Sequence, residues 1–337
     1  MELLRVDARE PDPIVIGRAA DELKRGGLVA FPTETVYGLG VNALDERAVE
    51  RLYRVKRRPA VNPLIVHVAD VPAARALVTR WPDAAERLAN AFWPGPVTLV
   101  LPKRAHVPDL VTAGLPAVGV RVPAHPVALA LLRACALPIA APSANRSTEL
   151  SPTRAEHVVK SLGDEIEMVL DAGATDVGIE SAVIDLTGAR PRLLRPGALD
   201  PRRIAEVAGE LEFTRHDPDA DAPRVSPGMM ERHYAPRARL VVVGHRLGEL
   251  ARAHELAALV RARGGRVARL DFGGLRVEVD VARSFAAQDA EGVARVLYDT
   301  LHAFDEAQVA LILVEAPPEG TEWLGVRDRL SRAAASE

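Results

Sequence analysis

The stretch FPTETVYGLG, from Phe31 to Gly40, decides how the N-terminal part of this chain is interpreted. The apolar run LVAF, which ends at Phe31, is typical of a short buried strand, and Pro32 closes it. Three polar residues, Thr33 to Thr35, then precede an aromatic residue and two glycines. A turn of this composition either reverses the chain or holds a ligand against its backbone. The stretch alone does not separate these two interpretations.

Composition and charge exclude several classes of protein. The chain has 337 residues, a length typical of about two domains, and its net charge of −3 gives no bulk reason to expect nucleic-acid binding. The single cysteine, Cys135, excludes an intrachain disulfide and a cysteine zinc cluster. The N-terminus lacks the apolar core of a signal peptide, and no apolar run reaches the roughly 18 residues of a membrane span. We therefore expect a cytoplasmic protein that does not enter a membrane.

Helical and strand-like patterns alternate through residues 1–208. Apolar positions from Ile14 recur at helical spacing until the glycines that begin at Gly26, and Asp45 can cap a helix that runs to about Lys56. The runs PLIVHV, TLVLP, VGVRVP, SAVIDL and RLLRP read as strands. Because the alternation is not strict, we predict an α/β fold with a twisted mixed sheet rather than a barrel.

The pattern changes at Gly209. Residues 209–238 are rich in Pro, Asp and Arg without an apolar period, so we interpret them as a linker that is either disordered or functional. From 239 to 337 strands such as RLVVVG, RVARLD and QVALILVEA alternate with helices. This series predicts a small Rossmann-like, doubly wound C-terminal domain. Its first turn, GHRLGEL, lacks the G-x-G-x-x-G fingerprint, so we assign it no dinucleotide.

Cationic side chains gather near strand ends, where open α/β sheets place ligands. Lys56 and Arg58 end a helix, where positive charge suits the dipole, but they also lead into a loop that could bind a polyphosphate. His67 lies inside a strand and is either a satisfied strand histidine or a ligand contact. Arg121 stands between two valines, so it either faces solvent or meets an anion.

Small polar residues form a second set of candidates. Ser143, Asn145 and Ser151 follow one strand, Ser181 begins another, and Arg195 ends a third. They could cap loops or contact phosphates. The linker carries a further cluster of long and aromatic side chains, Arg232, His233 and Tyr234, without an evident core role.

The order of these motifs resembles one known family. FPTETVYGLG, KRRP with NPLIVHV, SAN, GIESAVIDL, LRPGAL and SPGMMERHYAP follow each other as in threonylcarbamoyl-AMP synthases. Residues 10–237 resemble the YrdC-like domain with its linker, and the remainder resembles the C-terminal domain of the two-domain long form. Two departures stand out, since Ala117 and Ala182 occupy positions where many members carry threonine.

The resemblance implies an enzyme of the nucleotidyltransferase class. It would join L-threonine, bicarbonate and ATP into threonylcarbamoyl-AMP and pyrophosphate. Downstream transfer proteins would then place the threonylcarbamoyl group on a tRNA adenosine, and a direct tRNA contact stays open. Mg²⁺ would travel with ATP, and the sequence shows no dedicated metal cage.

The resemblance also implies roles for single residues. The K-x-R and S-x-N motifs would be the catalytic set, Lys56, Arg58, Ser143 and Asn145. ATP would be bound by Arg58, Asn62, Ala117, Ser143, Ser151, Arg195, His233 and Tyr234. Threonine would be bound by Thr35, His67, Arg121, Ala141 and Ser181. The linker would act as a lid over both ligands.

Three alternatives to this enzyme stay open at this point. The first is an RNA-binding YrdC-like module without adenylating activity, which the near-neutral net charge disfavours as the whole function. The second is a carbamoyl-adenylating hydrogenase maturation factor, a family that adds cysteine-rich zinc modules. The third is a non-catalytic regulator.

Overall fold

A computed structural model describes residues 1–213 and 234–334 as two sheets flanked by helices. The predicted α/β class and the twisted mixed sheet are confirmed. Most of the predicted linker, 209–238, lies outside the described residues, and so do Arg232 and His233. Within the described ranges, no helix is long and apolar enough to cross a membrane.

The N-terminal part contains eleven strands and seven helices among the described residues. The strands are β1 (Glu2–Arg5), β2 (Val29–Pro32), β3 (Tyr37–Asn42), β4 (Ile65–His67), β5 (Val97–Pro102), β6 (Ala117–Arg121), β7 (Ile139–Ala140), β8 (Met168–Asp171), β9 (Ala182–Asp185), β10 (Arg192–Arg195) and β11 (Glu212–Phe213). They form one sheet in the order β1-β8-β2-β3-β7-β4-β6-β5-β9-β10-β11. The helices are α1 (Pro13–Lys24), α2 (Glu46–Lys56), α3 (Val71–Ala76), α4 (Asp83–Phe92), α5 (Pro126–Cys135), α6 (Ala155–Leu162) and α7 (Pro201–Ala208).

Capping residues determine both ends of helix α2. The side chain of Asp45 accepts hydrogen bonds from the backbone N–H groups of Arg47 and Ala48, as the cap prediction required. The helix stops because Arg57 adopts a left-handed conformation with φ of 49°. This turn leaves Arg57 exposed and buries both of its neighbours, Lys56 and Arg58. The cap therefore determines which cations of the KRRP motif face the interior.

The FPTETVYGLG stretch is a β-hairpin. Strands β2 and β3 pair antiparallel, so the polar residues between them do reverse the chain. The sequence pattern did not predict β3, because glycines at alternate positions conceal the period of a strand. Gly40 is needed there, since a Cβ atom would lie 2.8 Å from the Phe31 ring. Strands β1, β8 and β11 and helix α7 were not predicted either.

The C-terminal domain matches the doubly wound prediction. Its strands are β12 (Arg239–Val243), β13 (Arg266–Asp271), β14 (Val281–Ser284) and β15 (Val309–Glu315), and its helices are α8 (Leu247–Ala262), α9 (Ala290–Glu306) and α10 (Leu324–Ala334). All strand pairs are parallel, in the order β12-β15-β13-β14. Separate apolar clusters cover the two faces of this sheet. Strand β14 is an addition to the predicted series.

The two domains share one of these apolar clusters. Val36 and Ile179 of the N-terminal domain pack in the same cluster as Tyr298 and Trp323 of the C-terminal domain. The backbones also meet closely, because a Cβ atom on Gly178 would lie 2.3 Å from the carbonyl oxygen of Arg295 in α9. The domain junction is therefore a packed core with close backbone contact.

Replacing Gly178 by alanine tests this close approach. Gly178 and Gly173 both have a positive φ, +82° and +84°, so alanine should cost about 1–2 kcal/mol of backbone strain at either position. Only Gly178 faces another backbone, whereas nothing lies within 4 Å of a Cβ at Gly173. We expect Gly178→Ala to lower the thermal unfolding midpoint clearly more than the control Gly173→Ala. Equal shifts would contradict the tight domain junction.

Candidate active site

A narrow cavity with charged, polar and apolar side chains lies where strands of the large sheet end beside the C-terminal domain. Nine of the residues that the sequence proposed for substrate contact line it, among them the one described member of the linker cluster, Tyr234. The full lining consists of Thr33, Thr35, Val36, Gly38, Arg58, Ile65, His67, Arg121, Ala141, Pro142, Ser143, Glu180, Ser181, Arg195 and Tyr234.

Three buried arginines, Arg58, Arg121 and Arg195, dominate the charge of this cavity, and none is more than 8% exposed. Arg58 donates through Nη2 to the carbonyl of Pro63 at 3.0 Å, and Arg195 donates through Nε to the carbonyl of Ser181 at 3.1 Å. Burial lowers the pKa of Arg58, yet a guanidinium remains charged in proteins. Guanidinium groups clustered in this way suit an anion such as a polyphosphate.

Lys56 joins the K-x-R motif to the S-x-N motif. Its Nζ donates to the carbonyl of Ser143 at 2.5 Å and also to the carbonyl of Asn145. The Asn145 side chain in turn donates to the carbonyl of Glu149 at 2.8 Å. Burial, and then the charge of Arg58, hold the pKa of Lys56 well below its usual value. The four motif residues thus lie together as predicted, with Lys56 and Asn145 behind the loop and Arg58 and Ser143 lining the cavity.

Arg121 is buried and has an internal counter-ion. Parallel pairing of β4 and β6 places it beside His67. Its Nη1 donates to Thr35 Oγ1 at 3.1 Å, and its Nη2 lies 2.6 Å from Glu34 Oε1. Of the two predicted environments for Arg121, solvent or an anion, the structure shows an anion, the carboxylate of Glu34. Glu34 was not among the predicted site residues, because no local pattern reveals a partner 87 positions away.

His67 presents a neutral imidazole to the cavity. Burial lowers its pKa to about 3, and the nearby Arg121 charge acts in the same direction. Its Nδ1 is buried, and no hydrogen-bond partner for it is found in the described part of the chain. A neutral histidine with an unpaired nitrogen can exchange a hydrogen bond with a substrate without adding charge. The unpaired Nδ1 favours a ligand contact over a satisfied strand histidine.

Ser181 is hydrogen-bonded to residues of two strands, Thr98 and Arg195. Its hydroxyl lies 2.8 Å from the Thr98 hydroxyl and accepts a bond from Arg195 Nη2 at 3.3 Å. Arg195 Nη1 reaches the Tyr234 hydroxyl at 3.4 Å. Tyr234 adopts a left-handed conformation with φ of 61° and is fully buried, so the chain enters the C-terminal domain through the cavity wall.

The other predicted contacts that the structure describes are not among the residues that line the cavity. Asn62 is buried, and its carbonyl accepts hydrogen bonds from Tyr53 and Arg58. The Ser151 hydroxyl donates to Glu180. Ala117, the first residue of β6, packs against the apolar cluster that contains Ile65 and Val100. His233 lies outside the described residues. Among those that are described, no group of three or more His, Cys, Asp or Glu residues is arranged to hold a metal ion.

The fold and the cavity together define a two-domain protein with a mixed-sheet substrate domain and a doubly wound C-terminal domain. Residues 21–197 match the Sua5, YciO and YrdC family, described as "Telomere recombination". Residues 199–335 match the family described as "Threonylcarbamoyl-AMP synthase, C-terminal domain". The chain belongs to the threonylcarbamoyl-AMP synthase family.

Individual relatives agree with this membership over nearly the whole chain. The threonylcarbamoyl-AMP synthase of Pyrococcus abyssi is 45% identical, with 94% of this chain and 93% of the relative covered. The threonylcarbamoyl-AMP synthase of Bacillus subtilis is 42% identical, with 95% of this chain and 92% of the relative covered. The crystal structure of P. abyssi Sua5 complexed with L-threonine superposes with a TM-score of 0.91 at 43% identity, covering 99% of this chain and 98% of that one.

Glu34→Gln tests the buried ion pair. Removing the carboxylate charge leaves Arg121 buried without its counter-ion, so we expect a loss of about 3 kcal/mol in the free energy of unfolding. Glu2→Gln is the matched control, because Glu2 also lies 2.6 Å from an arginine, Arg18, but both side chains are about half exposed. That change should cost about 1 kcal/mol or less.

The double variant Glu34→Gln with Arg121→Met completes this test. It removes both charges, so it should regain stability relative to Glu34→Gln alone. Denaturant unfolding measures all of these variants. If Glu34→Gln costs no more than Glu2→Gln, Arg121 does not depend on Glu34.

Proposed function

We propose that this chain is an L-threonylcarbamoyladenylate synthase, which forms threonylcarbamoyl-AMP and pyrophosphate from L-threonine, bicarbonate and ATP. The carrying observation is the set of three buried arginines around one narrow cavity, beside a neutral histidine and several hydroxyl groups. This set suits one polyphosphate and one carboxylate together. The activity named for the relatives and the threonine in the P. abyssi structure support the same assignment.

Threonine would occupy the end of the cavity next to Arg121. The guanidinium would clamp the substrate carboxylate, because its fork is already oriented by Thr35 and Glu34. Ala141 and Ser181 line the same cavity and would contact the methyl and hydroxyl groups. His67, being neutral, would exchange a hydrogen bond without repelling the amine.

ATP would occupy the end next to Arg58 and Arg195. Arg58, Ser143, Arg195 and Tyr234 line the cavity and could reach phosphates directly. Lys56 would act mainly by holding the Ser143 loop, since its ammonium is already bonded to two carbonyls. Contacts from Asn62, Ala117, Ser151 and His233 remain predictions. Mg²⁺ would come with the triphosphate, with its oxygen ligands largely from phosphates and water.

The reaction needs positioning more than covalent help. Bicarbonate would take up a proton and lose water to give CO₂. The neutral threonine amine would then form a bond to the carbon of CO₂ and lose a proton, which gives a carbamate. A carbamate oxygen would then attack the α-phosphorus of ATP, and the bond to the pyrophosphate oxygen would break. Cationic groups that already surround the phosphates would stabilise the charge that moves to the leaving group. No enzyme nucleophile takes part in this scheme.

The product would supply the threonylcarbamoyl group for a tRNA adenosine, through separate transfer proteins in the cytoplasm. Any direct tRNA contact stays a prediction. The RNA-binding alternative without adenylation gains no specific observation from the cavity, and the same assay tests it.

Pyrophosphate release tests the proposal. We expect release to require both L-threonine and bicarbonate. L-Serine should be slower by about 10- to 200-fold, because one methyl contact is worth only about 1–3 kcal/mol. Equal release without bicarbonate, or RNA binding without any release, would contradict the assignment.

Two neighbouring arginines supply a matched pair for the same assay. Arg58→Ala should reduce turnover by roughly 100-fold, the scale of one lost electrostatic donor. Arg57→Ala, on the exposed side of the same loop, should change it little. Equal turnover of the two variants would favour the helix-dipole interpretation of the KRRP motif.

A further inference from the structure

A buried ion pair crosses the domain junction beside the cavity. Arg329 on α10 of the C-terminal domain donates through Nε to Glu180 Oε2 at 2.7 Å, and its side chain is only 1% exposed. Glu180 belongs to the N-terminal domain and lines the cavity. Burial alone would raise the pKa of Glu180, but Arg329, Arg195 and the Ser151 hydroxyl hold it at about 2.

The Glu180 carboxylate gathers polar groups from both domains. Ser151, a predicted ATP contact, donates to Oε1 at 2.5 Å. Tyr298 of α9 donates to Oε2 at 3.2 Å. The carboxylate thus has three donors, two of which come from the C-terminal domain. A fully bonded charge of this kind specifies one arrangement of its neighbours.

Two guanidinium groups fix consecutive carbonyls of the cavity wall. Arg329 Nη2 donates to the carbonyl of Glu180 at 3.3 Å, and Arg195 Nε donates to the carbonyl of Ser181 at 3.1 Å. Arg329 Nη1 also donates to the carbonyl of Pro196, the residue after Arg195, at 2.9 Å. Each arginine therefore restrains the segment on which the other depends.

The Arg329 guanidinium also contacts Tyr234, which lines the cavity. The Arg329 Cζ atom lies 5.3 Å from the centre of the Tyr234 ring, within the range of a cation–π contact. The Tyr234 hydroxyl meets Arg195 on the opposite side. One residue of the C-terminal domain thus touches Glu180, Tyr234 and the carbonyl after Arg195.

Stability alone does not account for such a pair. Replacing a buried ion pair by well-packed apolar residues is often neutral or stabilising, so its presence is weak evidence for a stabilising role. Here one member of the pair, Glu180, lines the proposed substrate cavity. A displacement of about one ångström in a residue that positions a substrate can lower the reaction rate by a large factor.

We propose that Arg329 is a positioning residue of the active site: through Glu180 and Tyr234 it sets the place of Ser181 and Arg195 against the substrates. The C-terminal domain is then a structural part of the substrate site. This inference rests on the proposed function for the identity of the substrates, and it adds a role for the C-terminal domain.

The test compares two variants of one helix in the full-length chain. Arg329→Met removes the fork, and Arg327→Met is the control, since Arg327 donates to the carbonyl of Gly320 and has no contact with Glu180. Pyrophosphate release gives KM for L-threonine. We expect Arg329→Met to raise this KM about tenfold or more, and Arg327→Met to leave it within about twofold. Arg329→Lys keeps the charge but loses the planar guanidinium, so its KM for L-threonine should lie between the values of the other two variants.

KM separates positioning from a loss of folded protein. A smaller folded fraction lowers the observed rate but leaves KM unchanged, because KM does not depend on the amount of active enzyme. A normal KM in Arg329→Met, with only a lower unfolding midpoint, would therefore overturn the proposal.

Hydrogen–deuterium exchange of the amides in residues 178–182 is a second measurement that needs no substrate. Exchange should be faster in Arg329→Met than in Arg327→Met, and equal exchange would overturn the proposal. If the wild-type chain released no pyrophosphate with threonine and bicarbonate, the proposed function would fail, while this exchange would still decide whether Arg329 restrains the cavity wall.

Discussion

The burial of four guanidinium groups near one cavity is the constraint on which the rest of the structure depends. A buried charge is costly unless it is paired and hydrogen-bonded. Arg121 and Arg329 have carboxylate partners, whereas Arg58 donates to backbone carbonyls and Arg195 donates to a carbonyl and two hydroxyls. Each partner lies on a segment that carries proposed substrate contacts. Satisfying the arginines therefore determines the shape of the cavity wall.

This constraint also explains why the two domains form one unit. The carboxylate that satisfies Arg329 belongs to the other domain, and the apolar cluster around it draws side chains from both. The backbones also meet at Gly178, where a Cβ atom would lie 2.3 Å from the carbonyl oxygen of Arg295 in α9. The C-terminal domain lacks the phosphate-binding turn of a dinucleotide domain. Its helices α9 and α10 instead hold Glu180, a residue that lines the cavity, through Tyr298 and Arg329.

Much of the fold could be predicted because its signals are local. The Asp45 cap, the glycines at the end of α1 and the apolar period of the C-terminal helices each act within a few residues. Strand β3 was missed because its two glycines have no side chains and so hide the alternation of a strand, and β14 was missed because its residues are mostly exposed. Exposed strands do not carry the apolar pattern from which strands are predicted.

The site was predicted in part, and for a different reason. The order of motifs identified the cavity residues, since nine of them meet in one place. It did not identify Glu34, Glu180 or Arg329, whose roles arise from contacts across 87 and 149 positions. An isolated acid or arginine has no periodicity, so only the folded chain shows that it is buried and which residue it faces.

A double-mutant cycle on Glu180 and Arg329 tests the central claim most directly. Calorimetry would measure the free energy of L-threonine binding to the wild type, Glu180→Gln, Arg329→Met and the double variant. If the two residues act as one unit on the cavity wall, the double variant should bind L-threonine no less tightly than the single variant with the lower affinity. The coupling free energy between the two substitutions should then be about 1 kcal/mol or more. Effects that add to within about 0.5 kcal/mol would contradict the account, because the two residues would then act on the site independently.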